Sequence, residues 1–142
     1  MTAARGERGA AALEFVVIVP ALGLLIALMV GAARIWHAQT TLTQIAGTAA
    51  RAASQATDPT AARSRAQRVA REQSSTAGLT CSAPRVDVDV SGFQVPVGQP
   101  ASVRVQVQCG VPLADLVLPG WPGTWQLQAD GSSVLDRYRR RG

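Results

Sequence analysis

The sequence predicts an α+β fold: a long N-terminal helix that crosses a membrane and continues as an amphipathic helix, a short second helix, and a small antiparallel β-sheet domain. Three observations predict it. Residues 15–33 carry no charge and are almost wholly apolar. From Ile35 to Ala56 apolar side chains recur at three- and four-residue spacing. After Gly78 the repeat drops to two, the period of a strand with one buried face.

The apolar stretch runs GAAALEFVVIVPALGLLIALMVGAA from Gly9 to Ala33. Nineteen residues from Phe15 to Ala33, at ~1.5 Å of rise each, give ~28 Å, close to the ~30 Å hydrocarbon core of a bilayer. Pro20 removes one backbone hydrogen bond and predicts a mild kink or local loosening. Gly23, Gly31 and the alanines nearby are small enough to let helices approach closely, or are simply neutral membrane composition. Glu14 stands at the mouth of the run, where an ionised carboxylate calls for a cationic partner. Residues 1–9, MTAARGERG, read as a polar leader. Arg5 and Arg8 favour a cytoplasmic N-terminus and an extracytoplasmic remainder, although Arg34 and Arg51 stand on the other side.

Past the membrane, Ile35, Ala38, Leu42, Ile45, Ala46, Ala49, Ala53 and Ala56 form one helical face. A helix from about Leu13 to Ala56 would be ~65 Å long, half in lipid and half amphipathic. Trp36 suits the interfacial belt, and His37 reads as an interfacial polar residue. Asp58 then supplies an N-cap and Pro59 a first helical position for a second helix over about 59–75. That helix carries Arg63, Arg65, Arg68 and Arg71. Its thin apolar face, Ala62, Ala66, Val69 and Ala70, suits docking on the first helix as an αα-hairpin. The arginines read either as a solvated face or as a binding surface for anionic lipid or an acidic partner.

The strands follow. Val86, Val88 and Val90 alternate with Asp87 and Asp89, and Val103, Val105, Val107 and Cys109 alternate with Arg104, Gln106 and Gln108. Residues 92–100 join them as a long loop. A weaker third strand spans Thr124 to Ala129, with Trp125 and Leu127 on one face. The connection VPLADLVLPGWPG is expected to cover the sheet edge, and the tail LDRYRRRG to fray. Register bears on the two cysteines. The valine faces meet only if paired residue numbers sum to an odd value, whereas Cys81 opposite Cys109 sums to an even one. A Cys81–Cys109 disulfide therefore requires a bulge or a break before Val86, which Pro84 is placed to supply. An even cysteine count in a translocated segment favours that disulfide over two free buried thiols.

These features divide the chain into a leader (1–9), the membrane and amphipathic helix (10–56), a basic second helix (57–78), a sheet domain (79–130) and a basic tail (131–142). The net charge of +5 comes entirely from arginine, with no lysine and no asparagine present. Such a bias matches GC-rich coding, and no nucleic-acid recognition module or phosphate loop accompanies it, so no nucleic acid is expected as a partner. One histidine, no nucleophile elbow and no ligand-spaced cluster predict neither enzyme activity, metal nor cofactor. Asp87 and Asp89, two apart on a strand, read as its wet side.

A basic leader, Gly9, a small residue, Glu at the fifth place after the glycine and an apolar helix resemble the processing site of type IV pilins and pseudopilins. The wider set Arg8-Gly9, Glu14-Phe15, Pro20, Gln39, Leu42, Ala49-Ala50-Arg51 and Ala52-Ala53 resembles the TadE family of Tad (tight adherence) pilus proteins. The resemblance covers about residues 8–54 and departs from the family pattern at Gly47 and Thr48. It implies a minor pilin or pseudopilin, cut by a prepilin peptidase between Gly9 and Ala10 and acting in pilus assembly or adherence. Its implied partners are the peptidase, other pilin subunits, the Tad machinery and the lipid bilayer. Glu14 and Phe15 would serve assembly, the Glu14 charge meeting the freed amine of a neighbour.

Two other classes fit parts of the sequence. A secreted binding protein would use the apolar run as a Sec signal peptide cut after Ala33, where Gly31-Ala32-Ala33 offers small residues. Against this, the run is long for a signal and the amphipathic continuation would have no role. A permanently anchored lipid-binding or sensor protein would not be cut at all.

Overall fold

A computed structural model describes residues 6–79, 81–116, 120 and 122–138, without the side chains of residues 6–14, 82, 83 and 116. The fold is α+β, as the sequence predicts. A helix α1 (Gly6–Ser54) is followed by α2 (Pro59–Thr76), strands β1 (Ser82–Asp89) and β2 (Ser102–Pro112), a single helical turn α3 (Leu113–Leu116) and strand β3 (Thr124–Val134). The strands form one antiparallel meander in the order β1-β2-β3.

α1 is one continuous helix that passes through Pro20. It begins at Gly6 rather than near Leu13 and ends at Ser54 rather than Ala56. Asp58 caps α2 as its position predicts: Oδ1 accepts from the Ala61 N–H at 2.8 Å, with Pro59 opening the helix. Ala62, Ala66 and Ala70 of α2 are buried, joined by Ser74, whose hydroxyl donates to the Ala70 carbonyl at 2.7 Å. Alanines on both helices let the two axes come close, which offsets how little surface each side chain supplies.

The core lies between the second half of α1 and one face of the sheet. Leu42, Ile45, Ala46, Ala49, Ala50 and Ala53 meet Val88, Val103, Val105, Val107, Cys109, Leu127 and Ala129 there. α1 lies across β3 and β2, and α2 packs beside it and reaches β1. The register obeys the odd-sum rule, with Val86 opposite Val107 and Val88 opposite Val105. It changes where Pro84 stands: Ser82 faces Gly110, whereas Arg85 faces Gln108.

Three features depart from expectation. β3 runs to Val134 rather than Ala129, because β2 offers partners as far back as Ser102. The tail does not fray at its start. Leu135 is buried, its N–H donates to the Ala101 carbonyl at 2.8 Å, and the Gly98 N–H donates to the Arg137 carbonyl at 2.8 Å. The loop between β1 and β2 contains a 3₁₀ turn, Ser91–Gln94, that buries Phe93 in the core. Gly92 makes that turn possible, since a side chain there would overlap the Ser102 carbonyl. The β2–β3 connection closes on itself through a 3.0 Å bond from the Leu113 N–H to the Gly123 carbonyl. The covering of the sheet edge expected of its middle lies outside the described residues.

Candidate functional site

α1 changes character along its length. Leu42 has no exposed surface, yet Phe15, Leu24 and Met29 are each more than 60% exposed, and every large apolar side chain from Phe15 to Val30 is exposed. From Phe15 to Val30 the helix is thus a bare apolar rod, and its second half is the spine of the folded domain. In length and composition the rod qualifies as a single candidate membrane span. Eleven of its residues are Phe, Val, Ile or Leu. At ~0.3–0.6 kcal/mol each on an insertion scale they favour the membrane by ~3–7 kcal/mol. A carboxylate at the helix centre would cost ~2.5–3.5 kcal/mol and one at the edge less, so Glu14 does not cancel insertion.

The proposed processing and assembly residues share the start of this rod. Gly9, Ala10 and Glu14 lie on the helical backbone of α1, with side chains outside the described set, and Phe15 is exposed. Residues 1–5 of the expected leader lie outside the described residues. Helix geometry sets residue 14 one turn beyond residue 10 on the same face. The helix is continuous across the Gly9–Ala10 bond. Gly9 makes that turn easier to open, since glycine weakens a helix by ~1 kcal/mol relative to alanine.

Further along, the residues that carried the resemblance form the docking seam. Gln39 Nε2 donates to the Gln128 carbonyl of the edge strand β3 at 2.7 Å. Leu42, Ala49, Ala50 and Ala53 are buried, while Arg51 is exposed. Ser133 Oγ donates to Ser54 Oγ at 3.0 Å near the far end of the seam. Sequence reasoning missed the position opposite this seam, Gly131. A side chain there would collide with the backbone of Ala46 and Gly47. The available signal was a glycine inside a strand, which marks close backbone approach.

Cys81 and Cys109 are joined as a disulfide, with Cα atoms 5.2 Å apart, directly beside the register shift that the parity argument required. The bond ties the start of β1 to the end of β2, the end of the sheet nearest the apolar rod.

Two charged surfaces remain. Arg63, Arg65, Arg68 and Arg71 are all exposed on α2, and Arg65 Nη1 makes one long 3.5 Å contact to the Gln55 carbonyl. The outer face of the sheet carries Asp87, Asp89, Arg104, Gln106, Asp130 and Ser132, with Gln106 Nε2 donating to Asp130 Oδ1 at 3.1 Å. Asp89 is held below the usual carboxylate range, first by the Ser91 backbone N–H at 2.9 Å, then by the Ser91 side chain and the Arg104 charge. Its carboxylate therefore serves the 3₁₀ turn. No group of three or more metal-ligating side chains occurs among the described residues, and the aspartates stand on a wet strand face, as their spacing suggests.

Comparison with known proteins adds one match. The model of the TadE-like protein family matches residues 9–51, the segment that begins at Gly9 and ends with the buried seam of α1. No curated protein and no solved structure is similar enough to this chain to count as a match. The family segment and the bare apolar rod together fit a membrane-anchored, Tad pilus-associated protein.

Proposed function

We propose, taking the TadE-like segment 9–51 as premise, that the chain is a pilin-like subunit of a Tad pilus. In this reading a prepilin peptidase cuts between Gly9 and Ala10, and the protein then acts as a minor pilin or pseudopilin in assembly or adherence. The leader lies in the cytoplasm and the sheet domain outside. The observation that carries the reading is the division of α1 into an exposed apolar rod with Glu14 at its mouth and a buried spine that rigidly bears a small domain. A rod of this kind can leave lipid only by exchanging it for the rods of neighbouring subunits. Glu14 would meet a neighbour's α-amine as that exchange occurs, and the role is mechanical rather than catalytic.

The test pairs two variants, with mass and pilus number measured in both. Gly9→Leu places a bulky side chain before the cut, so the leader stays attached and the protein remains in the membrane. Glu14→Gln keeps size and hydrogen bonding but removes the charge, so cleavage continues while piliation falls. Removing one member of a buried charge pair costs ~3–5 kcal/mol, which is large for a contact between single helices. Full cleavage of Gly9→Leu together with normal piliation of Glu14→Gln would overturn the proposal.

One observation favours a second reading. Residues 38–53 are core to the domain rather than idle, so a Sec cut after Ala33 would leave the spine of the fold in place. The mass of the exported chain separates the two, since it begins at Ala10 in one case and at Arg34 in the other.

A further inference from the structure

The absence of any break in α1 between rod and spine fixes the height of the domain above the bilayer. Gln39 on α1 is tied to Gln128 on β3 by the 2.7 Å hydrogen bond already described. Trp125 lies three strand residues before Gln128, ~10 Å along β3 at ~3.3 Å per residue. That distance equals about seven helical residues at ~1.5 Å, which sets Trp125 level with about Ala32, inside the last turn of the uncharged run. A second marker agrees. Val111, the register partner of Trp125, lines one open notch together with Val30, Ala33, Arg34 and Asp115. The lower end of the sheet therefore overlaps the final turn of the rod instead of standing clear of it.

Trp125 shares the inner strand face with Leu127 and Ala129, each only 4% exposed, yet it is 51% exposed itself. Trp36, about one turn further along α1, is 77% exposed. Indole rings combine an apolar body with one N–H donor and concentrate where lipid chains give way to headgroups. We propose that this end of the sheet is a second lipid contact, in which Trp125, with Trp36, seats in the headgroup layer and Arg34 faces lipid phosphate. The proposal rests on the membrane-spanning reading of α1 but not on the direction of insertion. A lone spanning helix can turn about its own axis. A contact placed to one side of that axis stops the turn, and so presets which face of the rod meets neighbouring subunits.

The test uses the full chain in vesicles of phosphatidylcholine and phosphatidylglycerol, with tryptophan fluorescence read against lipid bromines and aqueous iodide. Trp36→Phe with Trp121→Phe leaves Trp125 as the lone reporter. Two further chains, with all three tryptophans replaced by Phe, carry Val19→Trp in the rod or Val134→Trp at the far, exposed end of β3. Trp125 should lose at least half its emission to bromines near the headgroups, little to deep bromines, and be several-fold less sensitive to iodide than the Val134→Trp reporter. Iodide sensitivity equal to that reporter, with no bromine effect, would overturn the proposal. Protection from both quenchers would do so too, since it would mean that protein covers the ring. If the Val19→Trp reporter escapes the deep bromines, the spanning reading itself fails and takes this one with it. If that reporter is quenched and Trp125 is not, only the second contact falls.

Discussion

Gly131 on β3 lies directly against the backbone of Ala46 on α1, so close that even a methyl group at residue 131 would overlap the Ala46 carbonyl. The residues are far apart in sequence, and their contact is where the edge strand crosses the spine. It sets how deeply the helix sits on the sheet, and with it the burial of Leu42, Val105 and Val107.

Gly131→Ala should therefore destabilise the domain, because the obstructing atoms are backbone and cannot swing aside. Overpacking of this kind costs ~1–3 kcal/mol, and each kcal/mol lowers the Tm of a domain this size by ~4–8 °C. Gly47→Ala is the matched control. A side chain at Gly47 meets nothing within 4 Å, and replacing a mid-helix glycine gains up to ~1 kcal/mol. Thermal unfolding of both variants in detergent, followed by circular dichroism, should move in opposite directions.

The division of α1 predicts a split between two leucines. Leu42→Ala removes a fully buried side chain and should cost ~2–5 kcal/mol. Leu25 is 54% exposed, so Leu25→Ala should leave the unfolding midpoint unchanged. Leu25→Arg should instead lower the membrane-bound fraction, because a cation near the helix centre costs ~2.5–3.5 kcal/mol on insertion. Urea titration and membrane fractionation of the same three proteins measure both effects.

Cys81 and Cys109 close a loop with a sequence separation of 28. In the loop-entropy model that closure is worth about 3.6 kcal/mol, a large share of the stability of so small a domain. Cys81→Ala, Cys109→Ala and the double variant should lose equal amounts, since any one replacement already opens the loop. Alanine suits Cys109, which is 1% exposed, because serine would bury an extra hydroxyl. Urea midpoints of the three variants give the comparison, and a larger loss in the double variant would mean that the thiols contribute separately.

What the sequence by itself determined rests on local or periodic physics. The apolar run from Phe15 marks a candidate span because a charge-free stretch of that length has no use for water. The Asp58–Pro59 cap and the alanine face of α2 follow from contacts within a turn. The strand faces of β1 and β2 were legible because the period is two, and parity, given a Cys81–Cys109 disulfide, required a register break between Cys81 and Val86. The tertiary structure decided the rest. How far β3 extends depends on β2 offering it partners to Ser102. The burial of Leu135 depends on Ala101, the need for glycine at residue 131 depends on Ala46, and the level of Trp125 depends on the Gln39–Gln128 bond. Each of these joins residues distant in sequence and is set by how closely a helix of small residues can approach a sheet. That distance is a property of the packed core, and no local pattern along the chain encodes it.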